Sequence, residues 1–468
     1  MKRIRESFKE MSELLRTEGS FVQNSAWMFS STGISILIQI VFFLVLSRIY
    51  SPAVYGLFGV FNVYLGVLGN AASLGYTLAF VLPEKERDFG ILLRLTLWIT
   101  LGVCALAALF FALFGQQTLR LFEHEQLGGW VHAIAPVAFL MAVDKIVCDW
   151  AIRNKEFKQQ MIWSTSTTLA SKIFNVFYGL KIAPTVAGLV VTTGLQYILR
   201  IVAYARFGLS DFGLRMREKI TRSEMKSIAK EYSDYPVYIH WGNVINIFSN
   251  NLPAALLPML GFTMSDVGYY TNSLIVLDMP IRLLGAGIAS VFLQKAAELA
   301  RDRREELNTH TWRLYKNILL ASLVFLFIVG SFGESLYAWV LGENWRMAGR
   351  AVEVLVLFYF FRMIASPLSV LFNVLRREKE QFIFQVILAI ARIASLIVGG
   401  LYTHDFIELM WIYAIVNAVL YFIYAIRIFQ LLQYKVGRMI ALTLGGCVVV
   451  LFASNLVKAL IILLEIVD

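Results

Sequence analysis

Charged residues and cysteines are both scarce in this sequence. Asp, Glu, Lys and Arg make up 16% of its 468 residues, whereas soluble domains contain about 25%. Hydrophobic residues make up 58%, which is the composition of an integral membrane protein. The 3 cysteines lie in apolar segments and show neither a disulfide spacing nor a metal-site spacing. We therefore predict that they pack as small side chains and that the chain holds no metal.

Motifs of enzymes and ATP-driven pumps are missing as well. The sequence contains no phosphate-binding glycine-rich loop followed by lysine, and no HExxH motif. It also has no long external loop rich in acidic residues, which a membrane glycosyltransferase or polymerase would need. These absences predict a protein that is not an enzyme and needs no cofactor.

Positive charge exceeds negative charge, with 42 Lys and Arg against 32 Asp and Glu. The basic residues are dispersed among many short loops instead of one domain, so we do not expect nucleic-acid binding. Most of them fall in segments that face the cytoplasm if the N-terminus is cytoplasmic. This bias predicts a multi-pass protein of the cytoplasmic membrane with its N-terminus inside.

Apolar stretches of about 20 residues, the length that crosses a bilayer, recur along the chain. The final stretch is compatible with one long tilted helix or with a helix and a short re-entrant end. We predict an all-α polytopic membrane protein of 12–14 transmembrane helices, with spans near 25–46, 55–82, 90–114, 130–151, 160–181, 184–205, 236–260, 267–293, 315–333, 350–375, 381–402, 408–430 and 438–464.

The spans group into five predicted regions. Residues 1–24 are an amphipathic cytoplasmic segment or a solvated tail. Residues 25–205 form a first lobe of six helices, and residues 206–235 form a basic cytoplasmic linker. A second lobe of six helices covers 236–432, and 433–468 supply one or more additional helices.

The two predicted lobes contain matching glycines. Gly56 and Gly75 in the first lobe are separated by the same number of residues as Gly268 and Gly287 in the second. An even number of helices separates the two lobes, so the pattern predicts a parallel internal repeat. Transporters built from repeats bind their substrate near the membrane midplane, between the repeats.

Four cationic residues lie near the middle of predicted spans: Lys172, Arg282, Arg362 and Arg392. Each costs roughly 2.5–3.5 kcal/mol to insert at the centre of a membrane helix. We therefore expect them to face an internal hydrated cavity instead of lipid. A cavity lined by positive charge favours an anionic substrate.

Acidic residues near these cations suggest further roles. Asp278 precedes Arg282 by one helical turn, so the two either neutralise each other or form a site for substrate or a coupling ion. Asp278 is the best-placed acid to bind H+ or Na+. Near a cytoplasmic helix end, Asp144 and Lys145 are candidates for a gate, although Lys145 can also reach the lipid headgroups.

Neutral polar residues form stripes on two predicted helices. Asn243, Asn246 and Asn250 share part of the seventh helix, and Gln39 continues a polar row on the first. Such stripes either hydrogen-bond neighbouring helices or line a hydrated path. Sugar hydroxyls need neutral donors and acceptors, so the stripes are compatible with a glycan substrate.

Three blocks of the chain resemble bacterial polysaccharide-biosynthesis flippases of the Wzx type. They are "LSRIYSPAVYGLFGVFNVYLGVLGNAASLGYTLAFV" (46–81), residues 235–296, and "LGENWRMAGRAVEVLVLFYFFRMIASPLSVLFNVLRREKE" (341–380). The resemblance implies the fold of the multidrug/oligosaccharidyl-lipid/polysaccharide (MOP) exporters, with two six-helix lobes. It also implies movement of an undecaprenyl-pyrophosphate-linked oligosaccharide across the bacterial inner membrane. Expected partners are that glycan, membrane lipids, a glycan polymerase and the chain-length machinery.

Two other functions are alternatives. A multidrug or metabolite antiporter of the same fold usually carries cations, and its cavity would need acidic residues. The first predicted span contains no acidic residue, which argues against this alternative. The other alternative is a glycan polymerase. It would need a long external loop rich in acidic residues, and this sequence has none.

Overall fold

A computed structural model describes residues 21–217, 220–236, 240–284 and 290–467. In this part of the chain the secondary structure is helical, without strands. The sixteen α-helices, numbered α1 to α16, are in order Phe21–Ile49, Pro52–Ala71, Glu86–Leu121, Ile134–Arg153, Phe157–Lys181, Val186–Arg217, Arg222–Glu231, His240–Met259, Met264–Leu284, Ser290–Asp302, Arg304–Leu341, Arg346–Leu368, Val370–Val374, Glu378–Tyr402, Phe406–Leu432 and Val436–Val467.

Nine helices in the described residues are long and apolar enough to cross a membrane, judged by length and composition. Helices α5 and α9 have 25 and 21 residues, which is also a spanning length, but they fall outside this set. They carry Lys172 and Arg282, two of the four cations predicted near the middle of spans, and Asp278, the predicted coupling residue. The all-α polytopic fold class is confirmed, while the grouping into two six-helix lobes stays a prediction.

The helices group into two compact units by their contacts. Unit 1 contains Met1–Tyr50 and Val60–Phe248, and unit 2 contains Ser51–Gly59 and Ser249–Asp468. In unit 1, α1 packs on α5, and α4 packs on α3 and α6. In unit 2, α12 is the most enclosed helix and packs against α9, α11 and α15, while α16 packs on α11.

The second predicted span, 55–82, is not one continuous helix. Helix α2 ends at Ala71, and the chain continues through a turn into a short 3₁₀ helix at Tyr76–Ala79. Gly75 starts that 3₁₀ helix with φ of 75°, a left-handed conformation that favours glycine. A Cβ at this position would also lie 2.9 Å from the side chain of His240. The prediction of a single span over 55–82 was therefore wrong.

Helices α2 and α9 cross within unit 2 at two of the glycines singled out by the repeat. A Cβ at Gly56 would overlap the carbonyl oxygen of Met264, and a Cβ at Gly268 would overlap that of Pro52. Each glycine thus contacts the residue that lies one turn before the other glycine. Such a reciprocal contact is the pattern of two segments related by a two-fold axis.

Part of the predicted linker forms helix, because α6 continues to Arg217 beyond the predicted end of its span at 205. The separate helix α7 packs on the beginning of α3 in unit 1. Ile228 of α7 is buried against Phe80 and Phe89, and the Tyr76 hydroxyl donates to the Ala229 carbonyl at 3.2 Å. Helix α7 is therefore fixed to unit 1.

The N-terminus of α7 has a capping box. Glu224 accepts from the backbone N–H of Thr221 at 2.8 Å and from its hydroxyl at 2.8 Å, and Arg87 on α3 donates to Glu224 at 2.6 Å. The hydrogen bonds from Thr221, followed by that from Arg87, lower the pKa of the Glu224 carboxyl to about 2. The carboxylate therefore stays ionised over the ordinary pH range.

This lowered pKa predicts a specific pH dependence for the capping box. Glu224 has an ordinary pKa of 4.5, so its stabilising contribution is complete above that pH and is lost as the pH falls through about 2. The difference in Tm between the wild type and the Glu224→Gln variant should thus be equal at pH 7 and pH 5.5, and should shrink below pH 4.5. A difference that already disappears between pH 7 and pH 5.5 would contradict the assigned hydrogen bonds.

Candidate functional site

Arg362 forms an ion pair with Asp278 inside unit 2. The Arg362 Nη1 lies 3.2 Å from Asp278 Oδ1, with side-chain exposures of 16% and 25%. Tyr359, one turn before Arg362 on α12, donates its hydroxyl to the same oxygen at 3.1 Å. Helix α12 therefore presents a cation and a phenol to the carboxylate of α9.

Arg392 lies on α14 and is enclosed, with 1% of its surface exposed. Its Nε donates to Asn417 Oδ1 at 3.1 Å, its Nη1 to Ser249 Oγ at 2.7 Å, and its Nη2 to the Tyr421 hydroxyl at 3.0 Å. Within the described residues, Arg392 has no carboxylate partner. These three neutral acceptors bind three of the five N–H donors of the guanidinium without neutralising its charge.

The two arginines of unit 2 share one aromatic neighbour. The guanidinium carbons of Arg362 and Arg392 lie 5.9 Å and 6.0 Å from the ring centroid of Phe358. We call Asp278, Phe358, Arg362, Arg392 and Tyr421 the unit-2 cation cluster. It holds two guanidinium groups and one carboxylate, so it carries an excess of positive charge in a region of low dielectric.

The other predicted residues of unit 2 have different environments. Arg282 is exposed on α9, one turn after Asp278, and Asn250 is half-buried on α8. The side chains of Asn243 and Asn246 lie outside the described residues. Asp278 precedes Arg282 by four residues on α9, but its carboxylate is hydrogen-bonded to Arg362 of α12.

Lys172 and Gln39 lie in unit 1 on two helices that pack together, α5 and α1. Both side chains are half-buried. The Tyr50 hydroxyl at the end of α1 donates to Asn175 Oδ1 at 2.8 Å and joins the two helices. Lys172 forms no ion pair among the described residues.

Asp144 forms a buried ion pair with Arg200 of α6, and not with its neighbour Lys145. Asp144 Oδ2 and Arg200 Nη1 are 3.0 Å apart, with side-chain exposures of 7% and 16%. Lys145 instead interacts electrostatically with Asp149 and with His240. The predicted gate residues therefore belong to two separate charge groups.

Arg200→Gln should destabilise unit 1, because it leaves the Asp144 carboxylate buried without its cationic partner. We expect a cost of about 3–5 kcal/mol, measured as a lower midpoint of chemical unfolding. The double variant Asp144→Asn/Arg200→Gln should recover most of that loss.

A matched control for this pair is Arg120→Gln. Arg120 and Glu125 are 3.5 Å apart, but their side chains are 75% and 66% exposed. An exposed pair contributes roughly 0–1 kcal/mol, so this variant should be close to the wild type. Equal effects of the two substitutions would contradict a stabilising role for the buried pair.

The fold is similar to solved structures of membrane transporters. A lipid II flippase, MurJ, in an inward closed conformation has a TM-score of 0.70 at 13% identity, covering 95% of this chain and 97% of that chain. An inward-facing multidrug resistance MATE family transporter of the MOP superfamily has a TM-score of 0.61 at 12% identity, covering 92% and 98%. A MOP superfamily transporter from Pyrococcus furiosus has a TM-score of 0.54 at 14% identity, covering 90% and 95%. At these identities the similarity shows the fold alone, which is like that of MurJ and of MATE transporters.

Sequence similarity identifies the family of the chain. Residues 45–350 match the model of the family described as polysaccharide biosynthesis protein, and the chain belongs to that family. The resemblance stated from the sequence is thereby confirmed. Among curated proteins, no match to this chain was found.

Proposed function

We propose that this protein is a flippase for an undecaprenyl-pyrophosphate-linked oligosaccharide, such as an O-antigen, capsule or exopolysaccharide unit. It would act in the bacterial inner membrane, with its N-terminus in the cytoplasm, by alternating access through a cationic cavity. Membership in a polysaccharide biosynthesis family supports the glycan, and the fold shared with a lipid II flippase supports a lipid-linked substrate.

The observation that carries this proposal is the excess positive charge of the unit-2 cation cluster. The cluster holds two guanidinium groups, those of Arg362 and Arg392, and one carboxylate, that of Asp278, which pairs with Arg362. A diphosphate must leave water to cross the bilayer, and fixed cations lower the cost of its desolvation. A cationic drug would instead be repelled by this cluster.

The exposures of these side chains suggest different roles in binding. Arg362, Arg282 and Lys172 are at least partly exposed and would contact the diphosphate directly. Arg392 is enclosed by its neutral partners, so we propose that it acts through its charge and by fixing Tyr421. The sugar hydroxyls would bind Asn243, Asn246, Asn250 and Gln39.

Asp278 is the proposed coupling residue. Because Arg362 binds it directly, a proton or Na+ arriving at Asp278 would release the guanidinium, while a diphosphate would compete for the same guanidinium. Asp144 has the same relation to Arg200 in unit 1. Lys145, beside Asp149, would act in gating at the cytoplasmic end of that unit.

We also propose that residues 25–205 and 236–432 are the two repeats, joined by 206–235, with 1–24 and 433–468 as additions. The reciprocal contact of Gly56 with Met264 and of Gly268 with Pro52 supports a parallel repeat. If the two repeats move relative to each other during alternating access, the contact between α2 and α9 would have to open and close.

A deletion strain tests the proposal in cells. Loss of the protein should cause lipid-linked single repeat units to accumulate on the inner leaflet of the cytoplasmic membrane, and the wild-type gene should relieve this. The same units on the outer leaflet would instead indicate a role in polymerisation. Restored drug resistance in a pump-deficient host, with unchanged glycan, would indicate an antiporter of the multidrug type.

A further inference from the structure

Helices α11 and α16 of unit 2 run side by side in the same direction. The Tyr315 hydroxyl of α11 donates to the Met439 carbonyl of α16 at 3.1 Å and lies 2.7 Å from Thr443 Oγ1. Further along both helices, Leu323 packs on Gly446. The residue numbers of the contacting pairs increase in both helices, so the helices are parallel. The beginnings of both helices therefore lie at the same end of the pair.

Two cations at this end share one tryptophan. Lys435 Nζ lies 5.2 Å from the ring centroid of Trp312 and 4.6 Å from that of Tyr434. The Arg438 guanidinium carbon lies 5.7 Å from the centroid of Trp312. The indole is 7% exposed, whereas both cations are exposed, so they cover the ring and face outward.

The surrounding charge does not neutralise these two cations. Lys435 and Arg438 form no ion pair among the described residues. Near this end, four more exposed cations and two acidic residues lie at or just before the beginning of α11, and Glu306 is 3.7 Å from Arg303. These residues are Arg303, Arg304, Glu305, Glu306, Arg313 and Lys316. The shared end of α11 and α16 is therefore a basic surface that attracts an anion.

The surface next to this basic end is apolar. Leu320 and Val324 on α11 are 65% and 51% exposed, and Leu442 and Val449 on α16 are 41% and 66% exposed. Cations and amphipathic aromatic rings beside an apolar face are the arrangement found at the headgroup level of a membrane. A lipid with an anionic headgroup would fit both features, because its headgroup can bind the cations while its acyl chains lie along the two helices.

We propose that Lys435 and Arg438 form a binding site for the headgroup of an anionic phospholipid, with its acyl chains lying on the exposed apolar faces of α11 and α16. Trp312 and Tyr434 hold the two cations in place, since a cation over an aromatic face is stabilised by the ring. This site is separate from the unit-2 cation cluster and does not depend on the proposed transport function.

Native mass spectrometry of the purified full-length protein tests the site, with phosphatidylglycerol as the probe and phosphatidylcholine as the neutral lipid. Each cation near a membrane surface contributes about a fivefold change in affinity for anionic lipid. The Lys435→Gln/Arg438→Gln variant should therefore bind phosphatidylglycerol roughly 25-fold more weakly than the wild type. The charge-retaining variant Lys435→Arg/Arg438→Lys should bind as the wild type does.

A matched control removes the same charge elsewhere. Lys226→Gln/Lys230→Gln changes two exposed lysines on one face of α7 and should leave binding unchanged. Wild-type affinity in the Lys435→Gln/Arg438→Gln variant would overturn the proposal, as would equal binding of phosphatidylcholine and phosphatidylglycerol. Displacement of phosphatidylglycerol by millimolar inorganic phosphate would also overturn it, because the site would then bind free anions.

Discussion

Arg282→Gln and Arg362→Gln are each expected to reduce surface glycan display by at least tenfold. A hydrogen bond to a charged group contributes about 1.5–3 kcal/mol, which corresponds to roughly 10- to 100-fold in binding. Both side chains are partly or fully exposed, so a diphosphate can reach them. Display is measured on intact cells, and membrane insertion is measured separately by the amount of protein in the membrane fraction.

Arg362→Gln has a second consequence that must be separated from substrate binding. It leaves Asp278 as an unpaired carboxylate held by the Tyr359 hydroxyl, and this lowers stability. The double variant Asp278→Asn/Arg362→Gln removes both charges and should restore stability without restoring display. Recovery of display in the double variant would mean that Arg362 serves the fold and not the substrate.

Arg282 offers a cleaner comparison because it is exposed. Its replacement by glutamine should leave the unfolding midpoint near that of the wild type, since surface substitutions usually change stability by less than about 0.5 kcal/mol. Arg282→Lys keeps the charge and should retain part of the display. Full display in both Arg282→Gln and Arg362→Gln would contradict the anion site.

Gly56→Ala and Gly268→Ala are expected to have the largest effects on the fold. Either new Cβ overlaps a backbone carbonyl oxygen of the other helix, and neither backbone can move aside without separating α2 from α9. Overpacking of this kind costs typically 1–3 kcal/mol and occasionally more. We expect a lower Tm and reduced glycan display for both variants, measured on purified protein and on intact cells respectively.

Gly66→Ala is the matched control on the same helix. A Cβ at Gly66 would meet just the Ile247 side chain, at 3.8 Å, which is an ordinary van der Waals distance. Alanine is also the better helix former, so this variant should be at least as stable as the wild type. Equal losses at positions 66 and 56 would show that the reciprocal contact has no special role.

The positions of the helices could be predicted from the sequence because runs of apolar residues directly reflect the length of a bilayer crossing. The sequence does not reveal the break after Ala71, because Ala72 and Leu74 continue the apolar pattern. Gly75 is a repeat position in the sequence, but neither its left-handed φ nor the close approach of His240 follows from that pattern.

The partners of the charged residues could be predicted less well. Asp278 and Arg362 are 84 positions apart, and their contact depends on how α9 and α12 pack. The nearby Arg282 on the same helix was the simpler candidate, because helical spacing predicts contacts within one element. Tyr359 was within reach of sequence reasoning, since it lies one turn before Arg362 and therefore on the same face of α12.

Arg392 shows a different limit of the sequence. A cation in the middle of an apolar helix predicts a polar environment, but not whether that environment is water or protein. Here it is protein, because Ser249, Asn417 and Tyr421 from two other helices enclose the guanidinium. Their separation in the chain leaves no pattern that would have identified them.

Translocation by the purified protein in proteoliposomes tests most directly whether the membrane-embedded cations recognise a diphosphate. The substrate is an undecaprenyl-pyrophosphate-linked oligosaccharide whose outer-leaflet fraction is measured with an impermeant glycan-modifying reagent. The wild type should move this lipid, Arg282→Gln and Asp278→Asn/Arg362→Gln should fail to do so, and a neutral lipid with the same glycan should not be moved. Wild-type rates in both charge variants, or equal rates for the neutral lipid, would contradict recognition through these cations.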